Sequence, residues 1–387
     1  MIKLIFYILY HLSMNIEISS LNPEEFDEMM RFLEKCYRHS RGYFPRRYPH
    51  VWRRDTLDYE NKIILKLDGK IVSHVGIFPL KFIVNEDIID VGGIGGVATL
   101  QEYRGRGYMS RLMNYSIEKM GRDGYALSIL WGDRQRYGHF GYEVAGRGLK
   151  LKISIRSIEQ EYGSKNVELK RFYGEETLLE KIIELHEKIP LRVYRDRKTY
   201  ELLFNMDNLM VYLSDNAYLA YFARHEELLW EQGGDPDNLI PFLYSFLKTV
   251  GRDMNVSSLE LSIPYYPDPV LKRLLDICVG WNITPVGMVK IISLKRLFES
   301  YINYFSSLNT SFSATFKIKE SEERVGLIVD GENVYVEEKE VGKKFVLNER
   351  DMVKLIFNGV EQVNIDSLNF LKTVFPLPFY VWILDHI

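Results

Sequence analysis

The sequence predicts an α+β protein built from three successive units. At 387 residues the chain is longer than one ordinary core accommodates. Within it, successive strand runs meet at hairpin signals, Asp68-Gly69 and Asp330-Gly331, and helix-type segments stand between those runs. The pattern changes character twice, after Lys150 and near Leu294. We therefore divide the chain into residues 15–150, 151–293 and 294–387, with residues 1–14 as an extension. A composition of 46% apolar and 27% charged residues, without a glycine-serine or proline tract, is that of a globular protein.

The extension MIKLIFYILYHLS is apolar but shorter than the ~20 residues that span a bilayer. No small-residue cleavage site follows it. Because MNIEISS opens a clean alternating strand, Met14 is read as the start. A strand is expected over Asn15–Ser19, then a helix capped by Asn22, with Pro23 in its first turn and Phe26, Met29, Met30 and Leu33 at helical spacing. The arginine- and aromatic-rich RHSRGYFPRRYPHVWRR reads as a loop. Strands Lys62–Leu67 and Ile71–Leu80 follow, joined by Asp68-Gly69, a hairpin signal. Another pair, Lys81–Val84 and Ile88–Gly92, turns at Asn85-Glu86-Asp87. Then come VATLQEYRGRG, a helix over Tyr108–Met120, a strand over Ala126–Leu130 and the segment RYGHFGYEVAG.

The second unit reads as a helix near Glu176–Lys188, strands Leu209–Ser214 and Ala217–Phe222, and a helix near Leu239–Val250. Its strand-to-helix crossing, LLWEQGGDPDNLI, has no arginine between strand and helix. The third is a helix from Leu294, alternating strands in SFSATFKIKE, RVGLIVDGENVYVEE and KKFVLNE, a short helix, and the apolar end FPLPFYVWILDHI. Asp330-Gly331 marks another hairpin.

A net charge of -3 gives no electrostatic reason to expect nucleic acid as a partner. Cys36 and Cys278 are too few for a disulfide framework, which suits a reducing, cytoplasmic compartment. The eight histidines form no HExxH pair, so no metal is expected.

The chemistry concentrates in VATLQEYRGRGYMSRLMNY. A strand opening through small residues into a helix makes an anion site, because the first helical N–H groups lack internal partners and the helix dipole favours negative charge. Gly105 and Gly107 allow close backbone approach, and Arg104 and Arg106 add charge. A P-loop is excluded by its missing lysine and hydroxyl. Gly93-Ile94-Gly95 with Ala98 imitates a dinucleotide fingerprint, but Val97–Leu100 continues as a strand. A pantetheine-pyrophosphate site fits.

Here the chain resembles a known family. EYRGRG before an amphipathic helix is similar to the coenzyme A loop of GNAT acetyltransferases, R/Q-x-x-G-x-G/A, with Glu102 where Arg or Gln is usual. RYGHFGYEVAG resembles the Y-x-x-F-G-Y segment of the same superfamily, matched by Tyr137, Phe140, Gly141 and Tyr142. The three-part layout from Met14 onward resembles the enhanced intracellular survival family, implying tandem GNAT folds, the second degenerate, and a small sterol-carrier-like α+β domain.

The resemblance implies an acetyl-CoA-dependent N-acetyltransferase acting on a primary amine by direct attack in a ternary complex. It assigns the acetyl-CoA contacts to Val97, Thr99, Arg104, Gly105, Arg106 and Gly107. Tyr137 would be the general acid and the terminal carboxylate of Ile387 the base, with Asp385 and His386 as alternatives. Relatives usually end in an aromatic residue, so isoleucine is a departure. Tyr43, Phe44, Trp52, Asp58 and Glu60 are candidates for the acceptor side. The family implies a homo-oligomer, often a hexamer. A longer acyl donor also fits, and the rival reading is a hydrophobic-ligand carrier on an inactive acetyltransferase scaffold.

Overall fold

The computed structural model describes residues 15–225, 228–365 and 369–387; the extension before Asn15 lies outside the described residues. Seven strands arise first along the chain: β1 (Ile16–Ser20), β2 (Lys62–Leu67), β3 (Lys70–Val84), β4 (Asp87–Thr99), β5 (Leu127–Leu130), β6 (Glu143–Ala145) and β7 (Gly148–Ser154). The β2–β3 turn places Asp68 at φ 48° and Gly69 at φ 81°, the two positive values that an Asp-Gly hairpin accommodates. Asn22, the anticipated cap, forms a capping box with Glu25 before the helix Phe26–Tyr37.

Two expectations are corrected. The pieces Ile71–Leu80 and Lys81–Val84 are one strand of 15 residues, and its partner β4 runs 13 residues through four glycines. The glycines do not end β4 because other groups fill the space they leave: a Cβ on Gly92 would overlap Met120 of the helix Tyr108–Asp123. The segment read as a loop contains helices Tyr43–Arg47 and Pro49–Trp52. Their aromatic residues fold inward, leaving Phe44 6% and Trp52 1% exposed.

The second unit contributes β8 (Lys170–Arg171), β9 (Leu191–Val193), β10 (Leu209–Leu213), β11 (Ala217–Phe222), β12 (Leu228–Gly234), β13 (Ser258–Pro264), β14 (Cys278–Thr284) and β15 (Gly287–Ile291). Two sheets result, ordered β1-β2-β3-β4-β5-β15-β6 and β8-β10-β11-β12-β13-β7-β14, with β9 added beside β3. Position for position they have the same plan. Each centres on a parallel pair, β4–β5 or β12–β13, joined across a helix, Tyr108–Asp123 or Pro236–Phe246. The next strand is exchanged: β15 pairs with β5 in the first sheet, and β7 pairs with β13 in the second. The exchange welds the two halves into a continuous core.

Both parallel pairs are short and then diverge. β4 meets β5 only over Val91–Gly93 and Leu127–Ile129, so the rest of β4 leaves an open wedge. The third unit has its own sheet, β18-β17-β16-β19, from β16 (Thr310–Ile318), β17 (Arg324–Gly331), β18 (Asn333–Glu337) and β19 (Lys343–Leu347). Its β16–β19 pairing is parallel. Phe298, Phe305, Phe316 and Phe375 pack in ring contact inside it. Beyond Phe375 the chain end runs between the first two sheets. Phe379 meets Phe82 of β3, Tyr380 bonds Ser262 of β13, and the Trp382 indole donates to the Leu191 carbonyl of β9. Among the described residues no helix is long and apolar enough to cross a membrane.

Candidate active site

The wedge beside β4 is a cleft of about 490 Å³ lined by Val97, Thr99, Arg104, Gly105 and Gly107, together with the start of the helix Tyr108–Asp123. Gly105 and Gly107 both have φ 77°, and the space a side chain would enter at either is open. A residue with a Cβ would be strained there and would occupy the approach to the helix N-terminus. The N–H groups of that first turn have no intrahelical acceptors. Arg104 braces the loop, its Nε donating to the Thr99 carbonyl at 3.1 Å. These features suit a pyrophosphate held by backbone amides and guanidinium charge. Arg106 is placed differently: it turns onto the Tyr103 ring, 5.3 Å from its centroid, and does not line the cleft. Glu102 pairs with Lys35 at 3.3 Å.

Two further cleft residues escaped the sequence reading. Tyr37, the last residue of the helix Phe26–Tyr37, donates to the Val97 carbonyl at 2.9 Å. Arg136 reaches in from the short helix Arg134–Tyr137, which Asp133 caps by accepting from the Gln135 and Arg136 amides. Tyr37 belongs to no motif, and Arg136 opens RYGHFGYEVAG without being one of its matched positions; only the fold places them on the wedge.

Tyr137 closes that short helix, 7% exposed, its ring filling the space beside Gly132. Burial raises its pKa, partly offset by the Arg136 guanidinium, so the phenol stays protonated at neutral pH. The helix is held by Arg134, whose Nε donates to Glu143 at 2.6 Å, while Arg350 of the third unit bonds the other oxygen of that buried carboxylate at 2.9 Å. Tyr142, by contrast, is wholly buried. Its hydroxyl lies 2.7 Å from Ser128 Oγ, which donates to the Gly92 carbonyl, so it ties β5 to β4 and faces no cleft.

Ile387 lies against β4. A Cβ built on Gly95 would stand 3.8 Å from the terminal carbonyl carbon, and one built on Gly93 would overlap Ile387 Cδ1. Gly95 and Val97 are two residues apart, about 7 Å along a strand. The chain end and the cleft therefore occupy successive stretches of one strand. They also converge at the end of β5: the His386 ring stacks on Trp131 at 4.1 Å, next to the Gly132 that Tyr137 covers. Burial lowers the His386 pKa to about 4, so this imidazole is neutral. The Asp385 carboxylate is engaged by Arg195 at 2.7 Å.

Phe44, Trp52 and Phe78 form a ring cluster beside Gly95 and Gly96, with centroids 5.3 Å apart for the first pair and 5.2 Å for the second, and Phe78 shares the Gly95 face with Ile387. His74 sits beside it, Nδ1 2.7 Å from the Gly96 carbonyl, and burial lowers its pKa to about 4. Of the acceptor-side candidates, Phe44 and Trp52 lie in this cluster, whereas Glu60 and Asp58 bond Lys119 and Asn61.

Residues 17–145 match the family profile described as an acetyltransferase (GNAT) domain. No curated protein matches the chain. Among solved structures, it resembles a GCN5-related N-acetyltransferase from Kribbella flavida at 15% identity, covering 97% of this chain and 100% of that one with a TM-score of 0.72. A probable N-acyltransferase from Enterococcus faecalis V583 aligns at 17% identity over 89% and 90% of the two chains, TM-score 0.68. Eis1 from Mycobacterium abscessus aligns at 11% identity over 96% and 100%, TM-score 0.65. At these identities the likeness establishes the fold, and the profile locates the acetyltransferase signature on the sheet that carries the cleft. Residues 17–145 thus carry the signature of an acetyltransferase domain of the GNAT family, a family that uses acetyl-CoA.

Proposed function

We propose that this enzyme transfers an acetyl group from acetyl-CoA to a primary amine by direct attack in a ternary complex. One observation carries the reading: the terminal residue abuts Gly93–Gly95 of the strand whose next residues wall the cofactor cleft. Val97, Thr99, Arg104, Gly105 and Gly107 hold the pantetheine and pyrophosphate, with Arg136 as an added cation, and Arg106 contributes only long-range charge. The neutral amine attacks the thioester carbonyl and sheds one proton to the Ile387 carboxylate as the C–N bond forms. The C–S bond breaks, Tyr137 protonates the departing thiolate, and the proton on the carboxyl group returns to the tyrosinate through solvent.

The second sheet fits a degenerate copy of the first. Where the first leaves helix amides open, the Asp235 carboxylate accepts from the Asn238 amide at 3.1 Å, seating a negative charge at the equivalent position. Pyrophosphate is repelled there. In this reading the third unit is the sterol-carrier-like domain, whose role is to deliver the chain end.

The test is thermal unfolding with and without acetyl-CoA, then thiol release with a panel of amines: lysine, spermidine and an aminoglycoside. A ligand at ~100 times its Kd stabilises the native state by about 2.7 kcal/mol. The midpoint should rise, and the rise should vanish when Arg104 and Arg136 are both alanine. No rise with the unaltered protein would refute the cofactor assignment.

A further inference from the structure

One buried ionic network remains outside this chemistry. Arg195 donates through Nε to Asp385 Oδ1 at 2.7 Å and through its two terminal nitrogens to the two oxygens of Glu231, one of them at 3.1 Å. All three residues are buried, with Arg195 and Asp385 at 4% exposure and Glu231 at 0%. Tyr218 of β11 donates to Glu231 at 2.8 Å. His186 and Tyr200, from the helices Glu176–Glu187 and Arg197–Phe204, bond each other at 2.7 Å beside it. The His186 ring nitrogen, Glu231 and Asp385 present ligand-type atoms within 4.8 Å of one another, but the guanidinium already neutralises one of the two carboxylates.

A buried ion pair is a poor device for stability, because desolvation offsets its Coulomb energy, yet it fixes geometry well. This one joins three bodies. Arg195 follows β9, which pairs with β3 of the first sheet; Glu231 lies on β12 of the second; Asp385 lies on the chain end. From Asp385 the chain has two residues to reach Gly95, and the first of them, His386, is clamped on Trp131. We propose that Arg195 and Asp385 are positioning residues for acetyl transfer, holding the chain end at the register that brings the Ile387 carboxylate against β4. The proposal rests on the reading of that carboxylate as the base. Arg195 does not line the cofactor cleft, so the network acts on the base and leaves acetyl-CoA binding alone.

The experiment is a double-mutant cycle between Asp385→Asn and a single glycine appended after Ile387. It is assayed with acetyl-CoA and the fastest amine of the panel, with folding checked by circular dichroism. Asp385→Asn should lower kcat about 10- to 100-fold, the scale of a misplaced catalytic group, while KM for acetyl-CoA changes less than about twofold. Added to the extended protein, Asp385→Asn should cost nothing further, because the group it positions is already lost. Independent, multiplying losses, or an unchanged kcat in Asp385→Asn, would overturn the proposal. Full activity of the extended protein would instead remove the carboxylate base, and the positioning role with it. If Asp385→Asn does not fold, Arg195→Lys, which keeps the charge and loses the two-pronged contact, enters the same cycle with the same expected pattern.

Discussion

Replacing Gly93 by alanine probes the chain end without touching the cofactor loop. A methyl group at this position would meet Leu80 Cδ1 and the Phe78 carbonyl at an ordinary 3.4 Å, but it would overlap Ile387 Cδ1. Carbon atoms rest about 3.5–4.0 Å apart, so the side chain of Ile387 must withdraw by roughly 1 Å or more. A misplacement of that size costs up to about 10²-fold when the displaced group takes part in the reaction. We expect kcat to fall about 10- to 100-fold, equivalent to about 1.4–2.7 kcal/mol of transition-state stabilisation, with KM for acetyl-CoA unchanged. The assay is thiol release at saturating acetyl-CoA, on protein with nothing appended after Ile387. The structure also supplies the rescue. Ile387→Val deletes the clashing Cδ1 and keeps the terminal carboxylate, so the Gly93→Ala/Ile387→Val pair should recover most of the lost rate. A Gly93→Ala protein with full activity, or a pair no better than the single variant, would refute the placement of the chain end at the reaction centre.

Tyr137→Phe should lower kcat about 10²-fold, the contribution of a general acid, with little loss of stability because the ring still fills the space beside Gly132; unchanged turnover would take the acid role from Tyr137. Stability should fall on acidification below pH 6.5, measured by urea unfolding at pH 7.5 and 5.5. Burial lowers the pKa of His50 to about 3 and of His74 and His386 to about 4, and holds His186 well below its usual value. Each imidazole binds its proton only after unfolding, so its contribution is complete above pH 6.5 and is lost as pH falls. Asp385 opposes this: burial outweighs Arg195 and raises its pKa to about 6, so its term favours the folded state as pH falls toward 4. Between pH 7.5 and 5.5 the four histidines lose about 1.4 kcal/mol each and Asp385 returns about 1, a net loss of about 4–5 kcal/mol over the interval. An identical urea midpoint at the two pH values would contradict the neutral, buried state of these histidines.

Local signals were strong where one short segment decides its own conformation. Asp68-Gly69 and Asp330-Gly331 each form the hairpin turn expected of them, and Asn22 with Glu25 starts its helix, because these depend on contacts within a few residues. The strand, loop and helix of Val97–Tyr115 formed as read for the same reason, because they are contiguous along the chain. Arg106 shows the limit, since charge at the right place in a motif does not say which way a side chain turns. The aromatic segment around Phe44 and Trp52 lacked periodicity and so read as a loop, although burial makes it helical.

What the sequence determined by itself was the α+β class and the position of the phosphate-type loop, both encoded in residues near one another along the chain. What only the tertiary structure decided was which distant residues share the site. The exchange of β7 and β15, the arrival of Tyr37 and Arg136 on the wedge, and the Arg195–Glu231–Asp385 network all join residues tens to hundreds of positions apart. Burial and sheet pairing select such contacts collectively, and no local pattern along the chain records them. On this reading the cofactor side of the proposed centre is contiguous in sequence, and the side of the proposed base is assembled only by folding.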